Sequence, residues 1–281
     1  MFTSNHFAEL SALIPPNIMQ TYIVVMVLLV VGGTLFDVVH KKSATYFFRA
    51  GQKSKTKASR QVGSGEMTSL AAQTVAMEVL TSSEFCNPKR RIAHLLGMYG
   101  FVIYLIATIV MVFSYPTTAT PTPAIWPALW SIGALMVCVG GYWFWFFIRV
   151  DVVSEGNSPF RLVRADLFIV SLLASVTFGL IWAYAQSAGS TTCAYVFLGL
   201  YLFASTVLFG SIPWSKFSHM FFKPAAAFQK RVENANGSRK GLPVPADRTN
   251  PTDRDRHSME LLKDAPLNMG LGIKREDPHH Y

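Results

Sequence analysis

Charge is what this chain is short of. Only 15% of its 281 residues are Asp, Glu, Lys or Arg, while 51% are hydrophobic. A soluble domain of this size carries about 25% charged residues, so the deficit argues against an ordinary soluble fold. Cysteine is scarce as well. Cys86, Cys138 and Cys193 are odd in number and far apart, which excludes a disulfide framework and a C-x-x-C metal site. They read as packing or idle thiols. No P-loop, G-x-S-x-G or H-E-x-x-H motif occurs, and no carboxylate pair lies within an apolar run. Those absences argue against nucleophilic or hydrolytic chemistry inside the chain. The start has no basic leader. Its first apolar run ends in Asp37-Val38-Val39-His40-Lys41-Lys42, not in a small-residue cleavage site, and so reads as a retained span.

What is present is five apolar runs, at about 20–39, 93–114, 125–148, 164–186 and 193–213, the first preceded by Pro15-Pro16. Runs of roughly 20 residues match a hydrocarbon core. The predicted fold is therefore an all-α membrane protein, a bundle of five transmembrane helices spanning residues 1–231. The connections alternate in charge. Residues 40–91 carry His40, Lys41, Lys42, Arg49, Lys53, Lys55, Lys57, Arg60 and Lys89-Arg90-Arg91, whereas 115–124 carry no charge. Arg149, Asp151, Glu155, Arg161 and Arg164 follow the third run, the next connection (187–192) is uncharged, and Lys216, Lys223, Lys230 and Arg231 follow the fifth. The positive-inside rule then puts the N-terminus outside and the C-terminus in the cytoplasm. It also accounts for the net charge of +9 without nucleic acid.

Two further segments stand apart. Glu66 to Phe85 is rich in Ala, Leu, Val, Met and Thr. It is expected to be either an amphipathic helix on the membrane or an ordinary connecting helix. Residues 232–281 are dominated by Gly, Pro, Asn, Asp and Arg, with Met259-Glu260-Leu261-Leu262 as the clearest apolar patch. That composition cannot bury a core of its own and is expected to be a disordered cytoplasmic tail.

Ionisable side chains at membrane depth are costly, so each is a candidate for function. They cluster towards the inner ends of the runs, at Asp37, His40, His94, Arg149, Asp151, Arg164, Asp166 and His219, and the outer half offers only His6 and Glu9. His94 opens the second run and His219 closes the fifth, and these two runs point in opposite directions. Both imidazoles are thus expected at similar depth on the cytoplasmic side, where they would clamp a haem iron between them. Bis-imidazole ligation leaves no open position, so such a haem carries electrons. His40 competes as a ligand, but Lys41-Lys42 directly after it suggests an interfacial anchor. A lone histidine at a helix end is more often structural; the pairing is what raises these two.

At these residues the sequence resembles the membrane cytochrome b subunits of respiratory nitrate reductase and their relatives in sulfur metabolism. In that family the last span ends in proline, phenylalanine or tryptophan, serine and a basic residue, then a histidine three positions on and a proline five after it. Pro213, Trp214, Ser215, Lys216, His219 and Pro224 match this pattern. Arg90-Arg91-Ile92-Ala93-His94-Leu95 matches the histidine that opens the family's second span, and Val163 to Leu173 resembles its fourth. The resemblance covers roughly residues 20–231. It implies five spans, an outside N-terminus and haem b held at His94 and His219.

The family's nitrate reductase members hold a second haem. Its ligands fall ten residues after the first histidine and eighteen before the last, where this chain has Tyr104 and Tyr201. Eighteen residues is five helical turns, about 27 Å at 1.5 Å per residue, which would set Tyr201 and His219 on one helix face. One complete pair is replaced and one kept, which implies a single haem at most.

Within the group, Phe85 to Arg91 and Gly97-Met98-Tyr99-Gly100-Phe101 look most like the membrane subunits associated with dissimilatory adenylylsulfate reductase of sulfur-oxidising bacteria. That resemblance implies the bacterial cytoplasmic membrane, a soluble flavin and iron–sulfur partner, and quinone as electron acceptor. Asp37, Arg149 and Asp166 are the candidate contacts for quinone or haem propionates, with helix capping and topology-setting charge as the simpler explanation. A purely structural anchor without cofactor is the second expectation. A transporter fits poorly, since neither an internal repeat nor a pair of broken helices is visible.

Overall fold

The structure, a computed structural model, describes residues 2–40, 43–83, 85, 87–149, 160, 162–212, 219–239 and 250–252. It divides into two units, residues 1–46 with 88–223 and residues 47–87 with 224–281. Among the described residues every regular element is helical.

The first unit is the bundle, and five of its helices are long and apolar enough to cross a membrane. They are α2 (Pro16–His40), α5 (Pro88–Ser114), α6 (Ile125–Trp143, continued by a π-helical turn Phe144–Ile148), α7 (Leu167–Ser187) and α8 (Thr191–Gly210). The shortest has 20 residues, about 30 Å at 1.5 Å per residue, enough for a hydrocarbon core. Two of the five begin on proline, at Pro16 and Pro88. The first helical position has no intrahelical use for an N–H, and proline's fixed φ suits it. The Pro15-Pro16 breaker is thus where α2 starts. α5 begins five residues ahead of the apolar run because Lys89-Arg90-Arg91 form its first turns. α8 ends at Gly210, short of the expected 213, because Pro213 removes a donor and disfavours helix in the residue before it.

α5 packs on α6 and α7 on α8, each an antiparallel neighbour joined by a short connection; α2 leans on α8 and α5. The α5–α6 contact is a backbone approach through glycine. A Cβ on Gly133 would lie 2.7 Å from both the Gly100 carbonyl oxygen and the Tyr104 nitrogen, and one on Gly140 would lie 2.6 Å from the Ala93 carbonyl oxygen. Small residues are how membrane helices come this close, since lipid offers no hydrophobic drive between them.

A short helix, α1 (His6–Glu9), closes one end of the bundle. Asn5 caps it, accepting from the Phe7 and Ala8 amides at 3.1 and 3.2 Å, and donates to the Tyr115 carbonyl and the Thr122 hydroxyl, both at 3.0 Å. One buried side chain thus satisfies a helix start and ties it to the uncharged loop. Asn5→Ala should cost about 0.5–2 kcal/mol, the range for a lost N-cap, read as a lower unfolding midpoint in detergent. An unchanged midpoint would show that the tether carries no stability.

The second unit is also helical. It contains most of α3 (Ser43–Thr56), α4 (Ser64–Thr74, continued by a π-helical turn Val75–Leu80) and α9 (His219–Ala235) from Pro224 onward. The division falls at Pro224, inside α9, where proline removes a helical hydrogen bond. Asn236 joins the segments. Its carbonyl accepts from the Ser59 amide at 2.9 Å and its side chain donates to the Ser54 hydroxyl at 3.0 Å. Arg231 pairs with Glu78 at 2.8 Å, and Arg60 with Glu66 at 3.0 Å. Glu66 holds the exposed Arg60 guanidinium further in its charged form, by hydrogen bond first and charge second. The segment expected from 66 to 85 is therefore helical from 64 to 80. Residues 232–239, from the predicted tail, contribute the buried Glu233 and Asn236; 240–249 and 253–281 lie outside the described residues.

Candidate functional site

The expected haem ligands are His94 on α5 and His219 in the chain that follows α8. His94 is the seventh residue of α5, on an exposed part of its surface. Gly97 lies one turn further, and nothing comes within 4 Å of where its Cβ would be. His94 is exposed and the Gly97 Cβ position is open, so the structure leaves room beside this half of the expected donor set. His219 does not close the fifth span, as expected, but opens α9. The helix ends at Gly210 and residues 213–218 lie outside the described residues, so the five-turn spacing from Tyr201 does not run through one helix. The His219 side chain lies outside the described residues too. Among those residues no three His, Cys, Asp or Glu gather as a metal site.

The register between the two helices is given by the tyrosines. The Tyr104 hydroxyl donates to that of Tyr201 at 3.0 Å, across the bundle interior. Gly179 makes room for both rings, since a Cβ there would sit 3.2 Å from the Tyr104 hydroxyl and 3.4 Å from the Tyr201 ring. Trp182 stacks on Tyr201 with centroids 5.8 Å apart, and Trp130 lies 5.1 Å from Tyr104. His6 and Phe7 of α1 cover both tryptophans. Tyr104 and Tyr201, where the resemblance led to the expectation of a second ligand pair, are therefore packed among aromatic rings, with α1 covering the tryptophans. The only signal in the sequence for this role of His6 was a histidine next to an asparagine that can cap a helix.

The remaining candidates fall into place separately. Arg149, at the end of α6, and Asp166, at the start of α7, form an ion pair. The Arg149 Nη2 and Nε atoms donate to the two carboxylate oxygens, the latter at 2.8 Å. Both side chains are nearly buried, at 9% and 12% exposed. Trp145, on the π-helical turn, lies under the guanidinium at 4.2 Å, and Asp166 also accepts from the Val163 amide at 2.9 Å. This pair joins two helix ends and accounts for both residues without a ligand. Asp37 is buried on α2. His40 ends α2 and stacks on Phe36 at 5.3 Å, as suits an anchor. Asp151 lies outside the described residues.

Sequence reasoning passed over the hydroxyl groups inside the spans. Ser175 and Ser205 bond at 2.8 Å, and Tyr22 reaches the Leu202 carbonyl and the Thr206 hydroxyl at 3.1 Å. Together with the tyrosine pair they border a cavity of about 280 Å³ between α2, α5, α7 and α8. No family model, curated protein or solved structure matches this chain.

Proposed function

We propose that the chain is a multi-pass membrane anchor and electron-transfer subunit. It links a cytoplasmic flavin and iron–sulfur oxidoreductase, of the adenylylsulfate reductase type, to the quinone pool of a bacterial cytoplasmic membrane. One b-type haem is held by His94 and His219. The observation that supports this is the Tyr104–Tyr201 bond. It links α5 and α8 at the two positions where the resembled family places its other ligand pair, which supports the register of the resemblance.

His94 lies one turn before Gly97 on α5, and His219 begins α9. When bound, a haem with two imidazole ligands supplies one-electron transfer and offers no site for oxygen or substrate. The basic connections set the orientation, N-terminus outside. The second helical unit is built from two basic segments, the one between α2 and α5 and the one after α8. Its surface is the docking platform for the soluble partner. His94→Ala and His219→Ala should each abolish the reduced-minus-oxidised haem signal of the purified protein while leaving the five-span bundle intact by circular dichroism. A full signal in either variant removes that residue as a ligand.

A further inference from the structure

We infer that the exposed face of α3 is a binding site for the head groups of anionic phospholipids, which hold this helix against the bilayer surface. The inference goes beyond the reading above and needs neither the haem nor the soluble partner.

The charge pattern sets the class of ligand. No Asp or Glu lies between Asp37 and Glu66, and seven Lys or Arg do. Four of them, Arg49, Lys53, Lys55 and Lys57, are exposed on α3 or directly after it. Among the described residues none of the four forms an ion pair, whereas Arg60 and Arg231 of the same unit are each matched to a carboxylate. The uncompensated charge is thus gathered on one helix, where it attracts an anion.

The packing of the helix decides which way that charge faces. Ser54 is buried and holds the inner side, bonded to Asn236 at 3.0 Å and to Ser238 at 2.8 Å. Phe48 and Lys55 lie two turns apart on another face, with Arg49 and Lys53 one turn apart along its flank. Phe48 is 71% exposed, a large apolar side chain left uncovered. An aromatic ring among basic side chains is the composition of a helix that lies in the membrane interface. The ring enters the acyl boundary, and the long basic side chains reach back to the phosphates.

Continuity with a span decides the occupant. α2 has 25 residues, about 37 Å at 1.5 Å per residue, enough to pass through a hydrocarbon core of about 30 Å and reach the head groups. α3 begins at Ser43, three residues after His40 ends α2, so at most about 11 Å of chain separates them. The basic face is therefore tethered within short reach of the lipid phosphates, and an acidic protein would have to displace lipid to take it. Each basic residue of such a juxtamembrane cluster strengthens binding to an anionic surface about fivefold, the equivalent of about 1 kcal/mol.

Hydrogen–deuterium exchange of the full chain in nanodiscs tests this. At low salt the α3 amides should exchange about tenfold more slowly in phosphatidylglycerol than in phosphatidylcholine. The difference should vanish at about 1 M salt, where charges are screened beyond about 3 Å. The uncharged loop at 115–124 should exchange equally in both lipids, which separates a local effect from a general one. Arg49→Gln, Lys53→Gln, Lys55→Gln and Lys57→Gln together should bring the rate in phosphatidylglycerol to that in phosphatidylcholine. Lys41, Lys42 and Lys89-Arg90-Arg91 remain in that variant to set the topology. Phe48→Ser should remove part of the slowing. Equal rates in the two lipids for the wild type, or slow exchange kept by the quadruple variant, would overturn the site and leave the face to an acidic protein.

Discussion

Gly133→Val is expected to disrupt the bundle. A Cβ at Gly133 would meet the backbone of α5 at 2.7 Å, at the Gly100 carbonyl and the Tyr104 amide, and a backbone cannot rotate aside as a side chain can. α5 and α6 would have to separate, losing the approach that Gly100 and Gly140 share. Overpacking a tight core costs about 1–3 kcal/mol, occasionally more, and contact with backbone puts this case at the top of that range. Gly199→Ala is the matched control, because nothing lies within 4 Å of its Cβ position on α8. Alanine there gains helix propensity of about 1 kcal/mol over glycine. Thermal unfolding in detergent should show a clear drop for Gly133→Val and none for Gly199→Ala. Equal midpoints would contradict the α5–α6 packing.

Breaking the Arg149–Asp166 pair is expected to cost as much from one side as from the other. Both side chains are almost out of solvent, and removing one member of a buried pair strips the other charge of this bond, a loss of up to about 3–5 kcal/mol. Arg149→Met and Asp166→Asn should therefore each lower the unfolding midpoint strongly. The double variant Arg149→Met with Asp166→Leu should recover much of the loss, because replacing a buried ion pair by apolar groups is often neutral. Additive losses in the double variant would mean that the two residues do not act as a pair. Quinone or propionate contact, the sequence-based expectation for these residues, would instead give stable variants with altered electron transfer.

The spans were legible because a membrane imposes one simple rule, a run of apolar residues of fixed length. All five predicted runs are helices, and the misplaced ends have local causes: α5 is extended by a charged first turn and α8 is stopped by Pro213. Tyr104 and Tyr201 were singled out only as replaced ligands. That they bond to each other depends on how two helices rotate and lean, which no periodicity in a uniformly apolar span records. The same holds for Gly133 against Gly100, for Ser175 against Ser205 and for the cavity they border. The covering of Trp130 and Trp182 by His6 was hidden for another reason. It is made by a four-residue helix, whose identity rests on one cap at Asn5. The second helical unit joins residues about 180 apart in sequence, Ser54 with Asn236, and composition alone had assigned the tail no partner.

The account stands or falls on whether the wild-type chain holds a haem. A reduced-minus-oxidised optical spectrum of the full chain, purified from membranes, measures this directly. A single b-type signal, with one haem per chain by pyridine haemochrome, is the predicted result. A colourless, iron-free protein that still recruits a soluble oxidoreductase to membranes would contradict the electron-carrier account and leave only the anchor.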